Sequence, residues 1–525
     1  MYCNQKGGSS MVPQTSGFSA GVEEALHDAC GVAGLFQVEN TVAMNYYCLH
    51  ALQHRGQEAA GITCFTQDGI RVHKGFGLVT EVFDSKSLAD LGEGLVSVGH
   101  VRYATSGQNI VENIQPIVVR SHQDSFVVAH NGEITNALDL RTGLENLGSI
   151  FHGTADTEVI SHIIQREEGP IEWKVAQACR KLDGSFSLVV GCEDKLIGVR
   201  DRNGFRPLCL GKLKGGHALC SESCAFEIIA ADFIREIEPG EIVVVDRQGV
   251  HSYSYLHLEE MAQSLGLDPH PETALSVLPD VVSLYESPDQ SQHFCAMEFI
   301  YFSRPDSMKF GRNIHQVRKG LGRALALRDS VKVDMVVGVP DSSLSAAMGY
   351  AEARGLPYEM GIIKNRYVGR TFIKPSQAER DRGVRMKLSP VASIVRDKRI
   401  LLVDDSIVRG TTSTRIVKML FQAGAKEVHL RISAPPLCYP CHYGIDIHDR
   451  DQLASAKMDN ETLRAWIGAN SLEFLSLEDL ETVTGGGLCT ACFTGAYPTR
   501  LYQWAYPGAS QGAPRGSCAP SPEAE

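Results

Sequence analysis

The sequence contains no long apolar run, no excess of basic residues and no recognisable secretory signal. No hydrophobic stretch approaches the roughly 20 residues that a helix needs to cross a bilayer. The first 29 residues lack a charged segment followed by a long apolar core. The 50 Lys and Arg residues are outnumbered by 62 Asp and Glu residues, whereas binding to nucleic-acid phosphates needs a basic face. We therefore expect a cytoplasmic protein that binds neither membrane nor nucleic acid.

The chain of 525 residues is too long for one ordinary core, so two large domains are expected. Its 15 cysteines are an odd number scattered through a long sequence, unlike the disulfide framework of a small secreted domain. Several are expected to be small buried hydrophobic residues. Five need separate consideration: Cys30, Cys295, Cys441, Cys489 and Cys492.

The pattern of apolar runs, turn residues and composition changes along the chain. Residues 1–29 contain Gly, Ser and Pro clusters and predict a disordered leader. Residues 30–260 alternate short apolar runs with Gly-rich turns, which predicts stacked sheets flanked by helices. Residues 261–294 are predicted to be a linker. Residues 295–500 alternate strands with helices, which indicates a parallel sheet, and residues 501–525 are a Pro/Gly/Ser/Ala-rich tail expected to be disordered.

The run "RILLVDDSIVRGTTS" at Arg399–Ser413 is the most informative one in the second half. An apolar strand ends at Asp404 and Asp405, and a short turn then opens a helix. Backbone N–H groups and hydroxyls at a helix start suit a phosphate dianion. Paired carboxylates suit sugar hydroxyls or a divalent metal. The composition alone leaves an acidic turn that caps a helix as the alternative.

This run resembles the motif that binds phosphoribosyl pyrophosphate (PRPP) in type I phosphoribosyltransferases. The run "VVGVPDSSLSAA" occupies the place of that family's pyrophosphate loop. The resemblance implies one Mg²⁺ per subunit at Ser343, Asp404 and Asp405. It also implies a set of PRPP-binding residues: Asp341, Ser342, Ser343, Lys364, Arg366, Tyr367, Arg370, Asp404, Asp405, Ser406, Arg409, Gly410, Thr411 and Thr412.

Between these two runs lies the basic segment "IIKNRYVGRTFIKP" at Ile362–Pro375. It is either a solvated basic loop or a lid over a polyanionic substrate. We favour the lid, because its closure would exclude water from a hydrolysable intermediate.

Five short stretches in the first half combine polar residues with glycine where a plain core would not need them. Together, and in this order, they resemble the class II glutamine amidotransferases, which are N-terminal nucleophile hydrolases with four αββα layers. The stretches are "CGVAG" (Cys30–Gly34), "LQHRGQEAAGI" (Leu52–Ile62), "GHVRYATSG" (Gly99–Gly107), "AHNGEI" (Ala129–Ile134) and "GTADTE" (Gly153–Glu158).

A cysteine nucleophile needs a base, because a thiol at its free pKa is mostly protonated. An α-amino group, with an ordinary pKa of about 7.7–8.0, can accept that proton near neutrality. Cys30 has such a group only if it is the first residue of the mature chain. Residues 1–29 are therefore predicted to be a propeptide, which the chain itself removes by cleavage between Ala29 and Cys30.

The same resemblance implies the rest of the glutaminase machinery. Asn131 and the backbone N–H of Gly132 would form the oxyanion hole. Arg102 would clamp the α-carboxylate of glutamine and Asp156 would bind its α-ammonium. The residues implied to bind glutamine are Arg55, Gly56, Arg102 and Asp156.

The late cysteines occur in "LCYPCHYG", "GLCTACFTG" and "QHFCAMEF". Four thiolates brought together suit either a Zn(Cys)₄ or a [4Fe–4S] site, and plain structural thiols remain an alternative. The resemblance is to the amidophosphoribosyltransferases that carry one structural [4Fe–4S] cluster per subunit, with ligands at Cys295, Cys441, Cys489 and Cys492. Cys438 is an extra thiol that could take the place of Cys441.

The two halves combined resemble the amidophosphoribosyltransferases from Cys30 to about Thr499. The resemblance implies the first committed step of purine (IMP) synthesis, in which glutamine, PRPP and water give 5-phosphoribosylamine, glutamate and pyrophosphate. It also implies ammonia transfer between the two sites, feedback inhibition by purine nucleotides and a homotetramer. The alternatives are another class II amidotransferase, such as a hexosamine synthase, and a regulatory protein that senses PRPP.

Overall fold

The computed structural model describes residues 30–103, 109–122, 124–268, 278, 292–365 and 388–502. The N-terminal half consists of two antiparallel sheets packed face to face between helices, and the C-terminal half is built on a parallel sheet. This is the two-domain α/β fold that the sequence predicts. None of the helices in the described ranges is long and apolar enough to cross a membrane.

The N-terminal half forms a seven-stranded sheet in the order β11-β9-β10-β1-β4-β2-β3 and a six-stranded sheet in the order β13-β12-β8-β7-β6-β5. Its elements are β1 (Gly31–Phe36), α1 (Thr41–Ala51), β2 (Ala59–Thr66), β3 (Gly69–Phe76), α2 (Val79–Val82), α3 (Ser85–Leu91), β4 (Val96–Arg102), β5 (Ile117–Arg120), β6 (Ser125–Ile134), α4 (Ala137–Asn146), α5 (Asp156–Arg166), α6 (Ile171–Lys181), β7 (Gly184–Gly191), β8 (Leu196–Arg200), β9 (Cys209–Leu213), β10 (Gly216–Cys220), α7 (Cys224–Ile228), β11 (Asp232–Glu236), β12 (Glu241–Asp246), β13 (Gly249–Ser254) and α8 (Leu258–Leu265).

Strand β1 shows why the layers form. Val32 and Phe36 belong to the apolar cluster between the two sheets, whereas Ala33 and Leu35 belong to the cluster beneath α1. Side chains alternate between the faces of a strand, and both faces of β1 are covered, so all six of its residues are buried. The run "GVAGLF" is accordingly apolar throughout instead of alternating with polar residues.

Helix α8 (Leu258–Leu265) crosses residue 261, where the predicted linker begins. Met261 and Ala262 are buried in the apolar cluster between the six-stranded sheet and its outer helices, and Leu267 packs against that cluster. The packing of the N-terminal half therefore extends into the first residues of the predicted linker, most of which lies outside the described residues.

The C-terminal half contains a four-stranded parallel sheet in the order β17-β20-β21-β22. Its elements are β14 (Phe294–Cys295), a π-helical turn (Glu298–Phe302), β15 (Met308–Lys309), β16 (Arg312–Asn313), α9 (Ile314–Leu327), β17 (Met335–Gly338), α10 (Leu344–Arg354), β18 (Ile362–Lys364), β19 (Leu388–Pro390), α11 (Ala392–Val395), β20 (Arg399–Asp404), α12 (Thr411–Gln422), β21 (Glu427–Ile432), α13 (Ala454–Lys457), α14 (Asn460–Ile467), β22 (Ser471–Phe474), α15 (Leu477–Thr484), β23 (Leu488–Cys489) and α16 (Ala491–Thr494).

The register of this sheet positions the second predicted site. Gly338 at the end of β17 lies opposite Val403 near the end of β20. Ligands of open parallel sheets bind outside the carboxyl ends of the strands. The loops that follow β17 and β20 therefore meet at the edge where a phosphorylated substrate is expected.

Candidate active sites

Cys30 lies in the wall of a pocket in the N-terminal half. The residue is buried, and its thiol donates to the carbonyl oxygen of Tyr103 over 3.5 Å. Strand β1 begins at the next residue and pairs with β4, so that Gly31 faces Val101 and the end of β4 comes close to the thiol. The pocket is lined by Cys30, Arg102, Tyr103, Gln115, His130, Gly132, Ala155 and Asp156.

The pocket holds charges of both signs, as a binding site for an α-amino acid requires. Arg102 ends β4, is 3% exposed and donates to Asn109 Oδ1 over 3.1 Å. Asp156 is the first residue of α5, where a negative charge is favourable. Burial alone would raise the pKa of Asp156, but the neighbouring His130 and the backbone N–H of Ile134 hold that pKa below its usual value.

The predicted oxyanion hole lies on β6. Gly132 has a φ of 148°, and a Cβ atom at this position would lie 2.1 Å from the carbonyl oxygen of Ser185, so the position requires glycine. Asn131 is fully buried, and neither its Nδ2 nor its Oδ1 has a hydrogen-bond partner among the described residues. A buried amide without a partner is costly, and an oxyanion in the site would satisfy Nδ2.

Arg55 has a different environment from the one predicted, and neither it nor Gly56 lines the pocket. The Arg55 side chain is fully buried, and its guanidinium binds the carboxylates of Glu222 and Glu298. Its Nε donates to the carbonyl oxygen of Cys30 over 3.1 Å. Direct glutamine binding by Arg55 and Gly56 stays a prediction, and the structure adds a contact from Arg55 to the backbone of the nucleophile.

The second site joins the two predicted loops of the C-terminal half. The Ser343 hydroxyl donates to Asp404 Oδ1 over 3.0 Å, and the Ser342 hydroxyl donates to Asp405 Oδ2. Asp405 also accepts from the hydroxyl of Ser406 over 2.6 Å. Burial and the charge of Asp405 raise the pKa of Asp404 well above its usual value. Two adjacent buried carboxylates with serine hydroxyls at their oxygens suit a divalent cation.

Helix α12 begins at Thr411, after the short turn of residues 406–410 that follows this acidic pair, as predicted. Gly410 precedes it with a φ of 78°, in the left-handed region that favours glycine. The hydroxyl of Thr411 is buried without a hydrogen-bond partner in the described part of the chain, so it is available to a phosphate oxygen. Thr412 lies in the same first turn, where N–H groups attract an anion. Arg409 instead donates to Gln452.

The predicted lid is described only at its ends. Strands β18 and β19 pair so that Lys364 faces Leu388, and Lys364 forms an ion pair of 2.9 Å with Asp341. The PRPP-binding candidates Arg366, Tyr367 and Arg370 lie outside the described residues. The structure thus joins Lys364, near the start of the predicted lid, to the loop after β17.

Comparison with known proteins gives the family. Residues 100–227 match the glutamine amidotransferase domain, and residues 313–439 match the phosphoribosyl transferase domain. The amidophosphoribosyltransferase of Bacillus subtilis is 45% identical over 489 residues, covering 91% of this chain and 96% of that protein. Its namesake in Staphylococcus aureus is 44% identical over 488 residues, covering 91% of this chain and 92% of that protein. The chain belongs to the amidophosphoribosyltransferase family.

Solved structures agree with this family. The glutamine PRPP amidotransferase from B. subtilis, in complex with ADP and GMP, superposes with a TM-score of 0.80 at 45% identity, covering 90% of this chain and 98% of that one. A second structure, described as the allosteric regulatory enzyme of purine biosynthesis, gives a TM-score of 0.81 at 45% identity and covers 90% and 97% of the two chains. As in other amidophosphoribosyltransferases, a glutamine amidotransferase domain thus precedes a phosphoribosyltransferase domain.

The four cysteines implied by resemblance to an iron–sulfur amidophosphoribosyltransferase lie together. Cys295 and Cys489 are directly opposite each other in the parallel pair β14–β23. Burial raises the pKa of the Cys492 thiol, and charge on Cys441, Cys489 and Cys295 raises it further. All four thiols are buried and free of disulfides. However, no group of three or more His, Cys, Asp or Glu side chains in the described ranges is arranged so that it could hold a metal ion.

Cys438 makes a different contact. Its sulfur lies 3.6 Å from the carbonyl oxygen of Ser455, while its backbone N–H donates to the carbonyl oxygen of Cys492 over 3.0 Å. The sulfur of Cys441 instead accepts from the backbone N–H of Tyr443 over 3.3 Å. The two cysteines of "CYPC" therefore have separate environments, and Cys441 is the one whose charge acts on Cys295.

Sequence reasoning missed two polar residues of the glutaminase pocket. Gln115 accepts from the backbone N–H of His130 over 2.7 Å and donates to the hydroxyl of Thr157 over 3.0 Å. The His130 ring lies 3.6 Å from Asp156. These contacts connect β6 to the first turn of α5 and so fix the position of Asp156 in the pocket. The position of His130 directly before Asn131 in "AHNGEI" is the signal that could have pointed to it, whereas the sequence around Gln115 carries none.

Proposed function

We propose that this chain transfers the amide nitrogen of glutamine to PRPP, giving 5-phosphoribosylamine, glutamate and pyrophosphate, as the first committed step of purine synthesis. One observation carries the proposal: a single chain of this family has a pocket that combines Cys30 with Arg102 and Asp156, and a separate pair of loops that joins Asp404 and Asp405 to serine hydroxyls.

The chain becomes active when residues 1–29 are removed. Cys30 has a φ of 45°, a left-handed conformation that costs an L-residue about 1–2 kcal/mol. The angle φ is defined by the peptide bond from the preceding residue, so cleavage between Ala29 and Cys30 abolishes this constraint. Cleavage also frees the α-amino group that the mechanism needs as a base.

We expect purified active protein to begin at Cys30. N-terminal sequencing should give Cys-Gly-Val, and the intact mass should be lower than that of the full sequence by residues 1–29. The physical reason is that an amide nitrogen cannot accept the thiol proton near neutral pH, whereas an amine can. An enzyme that retains Ala29 and still hydrolyses glutamine at full rate would contradict this step.

Glutamine hydrolysis then follows from the pocket. Arg102 binds the α-carboxylate and Asp156 the α-ammonium, which directs the side-chain amide toward Cys30. The Cys30 amine takes the thiol proton, and the thiolate attacks the amide carbon. Asn131 Nδ2 and the Gly132 N–H stabilise the oxyanion, and loss of one such donor typically costs about 10²–10³ in rate. The protonated amine gives its proton to the leaving nitrogen, so that the C–N bond breaks and ammonia is released. Water then hydrolyses the glutamyl thioester to glutamate and returns the Cys30 thiol.

The C-terminal site binds PRPP at the loops that follow β17 and β20. Thr411, Thr412 and the N–H groups at the start of α12 hold the 5′-phosphate. Ser343, Asp404 and Asp405 would hold Mg²⁺, which when bound supplies positive charge against the leaving pyrophosphate. Ammonia attacks C1 of the ribose as the C1–pyrophosphate bond breaks, and the amine loses one proton.

The Lys364–Pro375 segment closes over bound PRPP. Its closure creates the path along which ammonia travels from the first site to the second, and Tyr367 helps to line that path. Lys364, Arg366 and Arg370 add positive charge for the phosphates of PRPP. The ion pair of Lys364 with Asp341 brings the described start of this segment to the loop that follows β17.

Cys295, Cys441, Cys489 and Cys492 would hold a [4Fe–4S] cluster with a structural role. The four side chains supply the thiol donors that a cluster requires, since all are buried and free of disulfides, although in the described ranges they are not spaced as a metal site. Burial and neighbouring thiol charge raise the pKa values of Cys489 and Cys492, so their charged forms need a compensating cationic group. The charge of Arg206 lowers the pKa of Cys295 and Cys441 relative to burial alone.

Iron analysis tests the cluster. We expect the protein, purified without oxygen, to be brown, to absorb broadly near 400 nm and to contain about four iron atoms per chain. Cys489→Ser should lose the iron, while Cys438→Ser should keep it, because Cys438 contacts Ser455 instead. Stoichiometric zinc without iron would contradict the assignment.

The regulation and the oligomeric state of the protein are proposed from its family. We propose that purine nucleotides inhibit the enzyme at sites that overlap the PRPP pocket. The B. subtilis relative is described in complex with ADP and GMP, which supports the binding of purine nucleotides. A homotetramer located in the cytoplasm is proposed on the resemblance alone.

Pyrophosphate release tests the whole proposal. It should require glutamine and PRPP together, with glutamate and phosphoribosylamine formed in equal amounts. Another class II amidotransferase would hydrolyse glutamine without releasing pyrophosphate. A regulatory protein that senses PRPP would bind it and consume neither substrate.

A further inference from the structure

A carboxylate of the C-terminal half lies directly behind the glutaminase nucleophile. Glu298 belongs to the π-helical turn that follows β14, and its side chain is completely buried. Both of its oxygens accept from Arg55, with Oε1 2.6 Å from Nη2 and Oε2 3.0 Å from Nη1. This two-point contact fixes the plane of the guanidinium.

Arg55 connects Glu298 to the backbone of Cys30. While Nη1 and Nη2 are bound by Glu298, Nε donates to the carbonyl oxygen of Cys30 over 3.1 Å. Nη1 also donates to Glu222 Oε1 over 2.6 Å, whereas Nη2 is bound by Glu298. The guanidinium is planar and rigid, so the direction of its Nε–H bond depends on where Glu298 and Glu222 hold the other two nitrogens. The Cys30 backbone in turn determines where its α-amine and thiol lie.

Glu298 is itself held from its own half and from the N-terminal half. The Ser303 hydroxyl donates to Oε2 over 2.6 Å, and Nη1 of Arg206 lies 3.5 Å from Oε1. Burial would raise the pKa of Glu298, but the charge and hydrogen bonds of Arg55 lower it to about 2. Its four hydrogen-bond and ion-pair contacts favour the charged form and give the carboxylate a defined position.

We propose that Glu298 is a positioning residue for glutamine hydrolysis: it acts through Arg55 on the backbone of Cys30, although it belongs to the phosphoribosyltransferase half. The inference rests on the proposed role of Cys30 as the nucleophile. A shift of about 1 Å in a reacting group can cost about a hundredfold in rate. Glutamine binding should be spared, because Glu298 does not line the pocket that holds Arg102 and Asp156.

The test is Glu298→Gln, which keeps the size of the side chain but loses its charge and one acceptor. We expect kcat for glutamine hydrolysis to fall by about tenfold to a hundredfold, with KM for glutamine changed by less than about threefold. Alkylation of the Cys30 thiol by iodoacetamide should slow as well. PRPP-dependent synthesis from ammonium chloride should stay within about twofold of the wild type, because it bypasses the nucleophile.

Two further variants, Glu298→Asp and Glu352→Gln, separate a positioning role from a general structural one. Glu298→Asp, which restores the charge with a shorter side chain, should recover part of the lost rate. The control Glu352→Gln removes an exposed carboxylate that pairs with Lys319 and Arg323, and should leave both reactions unchanged. An unchanged kcat in Glu298→Gln, or an equal loss of the glutamine and ammonia reactions, would overturn the inference. Absence of glutamine-dependent synthesis in the wild type would instead refute the proposed function.

Discussion

Cys30→Ala is expected to abolish glutamine-dependent synthesis of phosphoribosylamine and to spare synthesis from ammonia. Loss of a nucleophile that acts together with its base typically costs about 10⁴-fold or more, so the glutamine reaction should fall to background. Ammonia reaches the C-terminal site without the thiol, so that rate should stay within about twofold of the wild type. Parallel assays with glutamine and with ammonium chloride measure both effects.

The matched control is Cys64→Ala. Cys64 is another buried cysteine of the seven-stranded sheet, in β2 opposite Ser97 of β4. Burial raises the pKa of its thiol to about 12, so the thiol stays protonated and should be inert. We expect this variant to keep its glutamine activity. Glutamine-dependent synthesis by the Cys30→Ala variant would refute the assignment of Cys30 as the nucleophile.

The parts of the fold that follow from local pattern could be predicted from the sequence. The run "RILLVDDSIVRGTTS" predicts a strand, an acidic end and a helix, and the structure has β20 ending at Asp404 and α12 beginning at Thr411. Strand β17 and helix α10 follow from "VDMVVGVP" and "SSLSAAMGYAEARG" in the same way. Hydrophobic period, strand length and turn residues are properties of a few neighbouring residues, so they can be recognised without the partner elements.

Contacts between distant parts of the chain could not be predicted in this way. Arg55 and Glu298 are 243 positions apart, and nothing around either residue indicates the other. Family resemblance assigned Arg55 to glutamine, whereas the structure surrounds its guanidinium with carboxylates from both halves. The pairing of Cys295 with Cys489 is likewise a product of the fold, since two-residue strands such as β14 and β23 have no period to detect.

Asp405→Asn is expected to abolish synthesis from both nitrogen sources while sparing the basal hydrolysis of glutamine. Asp405 accepts hydrogen bonds from Ser342 and Ser406 and is proposed to face Mg²⁺ and the ribose of PRPP. An amide supplies a single acceptor oxygen and no charge, so both reactions should fall by about 10²–10³-fold, the typical effect of losing one electrostatic contact in a site. Glutamate release without PRPP should stay within about twofold of the wild type.

Thermal unfolding separates this loss from misfolding. Asp404 and Asp405 are adjacent buried carboxylates, and burial raises the pKa of Asp405 as well, so the folded chain disfavours their charge when no cation is bound. The neutral amide of the Asp405→Asn variant relieves that repulsion, and the unfolding midpoint should stay the same or rise. The control Asp334→Asn breaks a partly exposed ion pair with Arg399 at the opposite end of the sheet and should change neither reaction. Two repelling buried carboxylates at a substrate site are expected to persist only where bound substrate or metal compensates their charge, which is why we expect Asp405 to be needed for synthesis. An active Asp405→Asn enzyme would contradict this expectation and would mean that the acidic pair only ends strand β20.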